Sequence, residues 1–169
     1  FFRCHDVVHR HEAVARYRAR VAKYPDNAVA SEGLGAALDL QGHHGQAQAI
    51  YRAALARHPE AQGLRANLGL SLILARRARE GANVLLDIAA LPDAPAQARE
   101  NLALAYGVLG NAEAAKRILT ADMPAASAED NLQFYRTLRE RWSVQAGTGE
   151  AARVKAVPAT QAVTTEAIE

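Results

Sequence analysis

The chain has 169 residues, half of them hydrophobic but only 5% aromatic, and a formal net charge of +2. That length suits one domain of ordinary size, and the charge is spread along the chain instead of gathered into a block, so electrostatics give no reason to expect nucleic acid as a partner. A single cysteine, Cys4, excludes an internal disulfide, and there is no run of eighteen apolar residues to span a membrane, so packing alone must hold the fold.

The first element expected is a helix over residues 9–24. Its Ala13, Tyr17, Val21 and Pro25 fall in register with Ala47, Tyr51, Leu55 and Pro59 further on. It therefore reads as the second helix of a partial repeat, with the first helix either upstream of Phe1 or reduced to residues 1–8. The chain starts without Met, which reads as a fragment or processed form whose targeting sequence, if any, precedes Phe1. His5, His9 and His11 lie in this segment, but two histidines on one helical face are an incomplete ligand set, and no Cys or carboxylate spacing completes it. They read as surface residues, and no metal or cofactor is expected.

Residues 27–59 form the first complete copy. Asp26 or Asn27 serves as N-cap, Gly42 is a left-handed stop, and His43 and His44 fall in the turn between two helices, A from about Asn27 to Gln41 and B from about Gly45 to His58. Shifting by thirty-four residues recovers the pattern twice: Leu34, Leu68, Leu102; Gly35, Gly69, Ala103; Leu38, Leu72, Tyr106; Ala47, Gly81, Ala115; Tyr51, Leu85, Leu119. The second copy, 61–91, has Arg76 where the first has Gly42, which predicts a strained or shifted turn. Arg76, Arg77 and Arg79 are the densest basic cluster, read as a solvated turn in preference to an anion or phospholipid contact. After the break Leu91 to Pro95, the third copy covers 95–122 with Gly110 as its stop. Ser127 and Asp130 suggest a capping box for a helix over 127–142. Its Phe134, Tyr135, Leu138 and Trp142 recur at helical spacing and would cover the open end of the array. Residues 143–169, without period, read as a flexible tail.

The first copy has Ser31, Leu34, Gly35, Leu38, Ala47, Tyr51 and Pro59 in the signature slots of the tetratricopeptide repeat (TPR), which it resembles; Ser31 and Leu38 depart from the ideal large and aromatic residues. The resemblance implies an all-α fold, a right-handed superhelical solenoid of antiparallel helix pairs with a capping helix over residues 1–142. It also implies that the A helices line a concave face that binds an extended peptide segment of a protein partner. By register the groove residues are Val29, Glu32, Gly33, Ala36, Asp39 and Leu40 in the first copy, Gly63, Ala66, Asn67, Leu70, Ile73 and Leu74 in the second, and Gln97, Glu100, Asn101, Leu104, Gly107 and Val108 in the third. Asn67 and Asn101 share one repeat position, where the paired donor and acceptor of Asn suit a peptide backbone. No Lys or Arg occupies a groove position, which disfavours a clamp for acidic C-termini.

A narrower resemblance rests on Arg65 to Leu74, on Arg99 to Gly110, and on Ala121-Asp122-Met123-Pro124 continuing into Asn131, Phe134-Tyr135-Arg136 and Leu138-Arg139. These stretches, within about residues 10–140, are similar to the TadD-type family of the Flp, or tight-adherence, pilus assembly system. That resemblance implies a non-catalytic periplasmic lipoprotein associated with the outer membrane, which assists assembly or localisation of the secretin or another pilus-assembly component. Membrane attachment would come only through a lipid anchor upstream of this chain. No phosphate loop, nucleophile elbow or His-Glu-x-x-His is present, and no enzyme is expected. A cytoplasmic TPR adaptor and a helper domain of a larger enzyme are the alternatives.

Overall fold

The structure, a computed structural model, describes residues 2–155, with side chains described for residues 11–146. Among these residues every element is helical: α1 (Phe2–Lys23), α2 (Ala28–Leu40), α3 (His44–Leu55), α4 (Gln62–Leu74), α5 (Ala78–Ala89), α6 (Ala96–Leu109), α7 (Ala112–Asp122) and α8 (Ala125–Lys155). The expected A and B helices of all three copies form within a few residues of their anticipated ends.

The turns follow from the residues placed in them. Asn27 caps α2 by accepting the Ala30 amide at 2.8 Å, and Asn111 caps α7 through the Ala114 amide at 3.1 Å. Gly42 and Gly110 stop their helices at φ +77° and +90°, where a side chain would crowd the backbone. Arg76 adopts φ +66° at the equivalent turn, so the expected strain is present and no shift avoids it. Its guanidinium stacks 4.1 Å over the Trp142 ring and donates to Gln145. A cation–π contact is worth about 0.5–2 kcal/mol, of the order of the left-handed penalty.

Two expectations change. The Ser127–Asp130 capping box does not form: the helix starts earlier, at Ala125 behind Pro124, whose carbonyl accepts the Ala128 amide at 3.0 Å. Pro124 thus sets the start and Ser127 is already inside. The helix also continues past Trp142 to Lys155, so the expected tail is helical over 143–155; residues 156–169 lie outside the described residues. At the other end α1 is one continuous helix, without a break near Val8 to mark off a remnant of a first helix. The side chains of Cys4, His5 and His9 lie outside the described residues, and His11 is exposed.

Each helix packs on the next, and α2, α4, α6 and α8 also pack on one another in sequence, whereas α3, α5 and α7 make no mutual contact among the described residues. The packing is set by glycines at the contacts between helices. A Cβ on Gly35 would lie 2.2 Å from the Tyr51 ring, one on Gly69 2.5 Å from Leu85, and one on Gly81 2.7 Å from the Gly69 carbonyl oxygen. The helices of each pair therefore approach closely, and Tyr51, Leu64, Leu72, Ile73, Leu85 and Leu119 are sealed between them.

Gly81→Ala is expected to destabilise the fold by about 1–3 kcal/mol, because the clashing atom is backbone and cannot rotate away. Urea denaturation of the variant measures it, and an unchanged midpoint would contradict the α4–α5 contact.

Candidate functional site: the shared face of α2, α4, α6 and α8

The register of the buried residues shows what α8 is. Leu64, Ala98 and Ala128 are buried, as are Leu68, Leu102 and Leu132, and Ser71, Ala105 and Tyr135. The step from α4 to α6 is 34 residues (102 − 68), and from α6 to α8 it is 30 (132 − 102). The start of α8 thus repeats the backward-packing face of α4 and α6 with four residues deleted from the connection. The forward-packing positions differ. Gly69 and Ile73 are covered by α5, but their equivalents Gln133 and Thr137 are exposed and half-buried. The start of α8 therefore packs as an A helix does, with no B helix over its forward face among the described residues.

This register aligns Glu32, Glu100 and Asp130; Asn67, Asn101 and Asn131; and Ala36, Leu70, Leu104 and Phe134 on the face that the four helices share. Spacings of i, i+1 and i+4 place each helix's residues side by side. Cross-helix bonds show that neighbouring faces meet: Asn67 Nδ2 donates to Glu32 Oε1 at 3.0 Å, and Asn101 Nδ2 donates to the Ala66 carbonyl oxygen at 3.2 Å. Gly63 leaves space for the Glu32 carboxylate, since a Cβ there would lie 3.0 Å from Oε1. Asn131 instead bonds locally, to the Ser127 carbonyl oxygen at 3.0 Å and to Met123 Sδ at 3.4 Å.

The residues expected from the sequence divide. Gln97 and Glu100 are exposed, and Asn67, Leu70, Asn101 and Leu104 are half-buried on this face. Ile73 and Val108 are corrections, as are Ala66 and Gly107: all four are buried, Ile73 completely. Ile73 packs against Gly81 of α5, and Val108 joins the core with Ile88 and Leu102. Both lie where the A helix turns toward its own B helix, and their apolar side chains follow the core. The stripe expected to cover the array's end divides too. Tyr135 is buried over Gly107, while Leu138 and Trp142 are partly covered and Phe134 is 58% exposed beside the Leu104 position. Asp130 and Phe134 were missed as face residues because the shortened connection breaks the thirty-four-residue count. The dipeptide Asn131-Leu132, matching Asn67-Leu68 and Asn101-Leu102, was the available signal.

Charge on the face is negative. Among the described residues no Lys or Arg occupies a position equivalent to Glu32, Asn67 or Leu70 on any of the four helices. Burial, reinforced by the Glu100 charge, raises the Tyr135 hydroxyl above the usual tyrosine value, so this phenol stays neutral.

A second polar cluster lies inside the α2–α3–α4 contact. The Asp39 carboxylate accepts from Ser71 Oγ at 2.7 Å and from the Tyr51 hydroxyl at 3.1 Å, and its Oδ1 lies 2.7 Å from His44 Nδ1. Burial, then Asp39, pushes the Tyr51 hydroxyl far above its ordinary value. His44, expected in a loop, is the first residue of α3. Ser, His and Asp together have the composition of a nucleophilic triad but not its wiring. Ser71 is fully buried and donates to the carboxylate, and its only bond to His44 is a 3.5 Å contact with the backbone oxygen. Nucleophile activation needs a hydroxyl bonded to its base. The cluster is a three-helix clasp. Gln48 extends it, donating to the Ser71 carbonyl oxygen and accepting from Arg77, which also pairs with Glu80 at 2.6 Å. Of the basic cluster, then, Arg76 and Arg77 are already partnered.

Two concavities lie elsewhere. One of about 250 Å³ lies between Arg76, Arg79, Leu109 and Trp142. The other, about 540 Å³, opens where α5 and α7 diverge, over Leu86, Leu102, Tyr106, Arg117 and Ile118. Among the described residues there is no cluster of metal-ligating side chains and no helix long and apolar enough to cross a membrane. Comparison with protein-family models finds no match to the chain, and comparison with curated proteins finds no significant one.

Ser71→Ala is expected to lower folding stability by about 1.5–3 kcal/mol, the range for loss of a hydrogen bond to a charged group. Denaturation reads the loss, and a variant as stable as the parent would show that the clasp does not hold α4 to α2.

Proposed function

We propose that the chain is a TPR-type right-handed solenoid of antiparallel helix pairs and acts as a non-catalytic binding scaffold, its concave face formed by α2, α4, α6 and the start of α8. The observation that carries this reading is the one-sided packing: these four helices touch one another while α3, α5 and α7 do not. Layers joined more closely on one side curve toward that side, as in helical repeat arrays. The face so formed offers half-buried leucines, an exposed phenylalanine and carboxamides, a mixture suited to an extended segment whose backbone needs donors and acceptors and whose side chains need apolar contact.

The partner proposed is an extended segment of a secretin or another pilus-assembly component, with the protein working in the periplasm at the outer membrane. The similarity of residues 65–74, 99–110 and 121–139 to the TadD-type family supports that assignment. A cytoplasmic adaptor would use the same face.

Asn67→Ala combined with Asn101→Ala is expected to weaken partner binding by about 1–3 kcal/mol, with the helical content kept. Capture on the immobilised full chain from detergent-solubilised host envelope and from cytosol tests both parts. Recovery of a secretin or pilus-assembly protein, lost with the double variant, is the expected result. Recovery of cytosolic proteins alone would overturn the pilus assignment, and binding indifferent to the double variant would overturn the face.

A further inference from the structure

Resting on the reading of the shared helix face as a peptide groove, we infer that its occupant is an extended segment in which Lys or Arg side chains are interleaved with apolar ones. The groove is chemically striped. One lane carries the carboxylates Glu32, Glu100 and Asp130, a second the carboxamides of Asn67, Asn101 and Asn131, and a third Leu70, Leu104 and Phe134. Phe134 at 58% exposed is a large apolar surface left beside a polar lane, the combination found where an amphipathic partner docks.

The carboxylates are placed for a partner. Glu100 and Asp130 are exposed, and neither has an ion-pair partner among the described residues. Glu32 is held on the groove floor by the Asn67 carboxamide, in the space left by Gly63. An amide donor orients a carboxylate without neutralising it, so its charge stays available. Of the cations nearby, Arg99 pairs with Asp122 and Arg136 with Glu129, while Arg65 keeps its charge but is turned toward the Pro59 carbonyl oxygen. An acidic segment would meet uncompensated repulsion here, whereas a basic one completes the lane.

Geometry sets the spacing. The Glu32 carboxylate lies against α4, beside Asn67 and Gly63, and packed helices lie about 8–10 Å apart, so it sits roughly one helix spacing from Glu100 on α6. An extended chain advances about 3.3 Å per residue, which puts the two basic side chains about three residues apart. The intervening apolar residues lie over Leu70 and Leu104.

The test is selection of a displayed random dodecapeptide library on the full chain, followed by titration of the selected peptides. The comparison variants are the charge-neutral triple Glu32→Gln/Glu100→Gln/Asp130→Asn, in which the amide oxygen introduced at position 32 can still accept from Asn67, and the double Asn67→Ala/Asn101→Ala. Selected peptides are expected to be enriched in Lys or Arg among apolar residues and to bind the triple variant roughly tenfold or more weakly, as loss of paired charges predicts. Their affinity should fall as salt shortens the screening length. Peptides that need the asparagines but carry no basic enrichment, or that bind the triple variant equally well, overturn the inference and leave the groove. Peptides indifferent to both variants, or no selection at all, overturn the groove as well. Thermal unfolding of the triple variant at the parental midpoint shows that its fold is kept.

Discussion

The structure depends on one constraint, that a small residue at each helix contact lets the neighbouring helix approach closely. Gly35 under Tyr51, Gly69 under Leu85 and Gly107 under Tyr135 all leave no room for a methyl group. These close approaches fix which face of each helix is inside. They bury the leucine positions 34, 68, 102 and 132, and the remaining positions of α2, α4, α6 and α8 fall on a common exposed face. The shared face is what the core leaves over.

The Asp39 clasp acts on the same contact by other means. Its hydrogen bonds tie α2, α3 and α4 together at a half-buried carboxylate, and each member has a partner. A satisfied polar network favours one register over its neighbours, because sliding α4 by a residue would strand Asp39. The alanine-rich layers pack in many ways with similar area, so this polar contact adds specificity that apolar burial alone supplies weakly.

Much of this was legible in the sequence because the determining signals are local and periodic. The recurrence at 34 residues located six of the helices, and Gly42, Gly110 and Asn27 marked their ends. What stayed hidden depended on tertiary context. Ile73 and Val108 carry the right repeat positions for a groove but turn into the core, and position alone does not distinguish a rim from a wall. The role of α8 was obscured by a connection four residues shorter than the others, which moved Phe134 from the shared face into an apparent covering stripe. The clasp escaped notice because Asp39, His44, Tyr51 and Ser71 belong to three helices, and only packing brings them together.

Central to the proposed function is the binding of partners to the face shared by α2, α4, α6 and the start of α8. The direct measurement is a backbone-amide NMR titration of the full chain with a captured or selected peptide. Shifts concentrated at Asn67, Leu70, Asn101, Leu104 and Phe134 are predicted. Shifts concentrated at Leu86, Tyr106 and Arg117, in the cleft between α5 and α7, would contradict it.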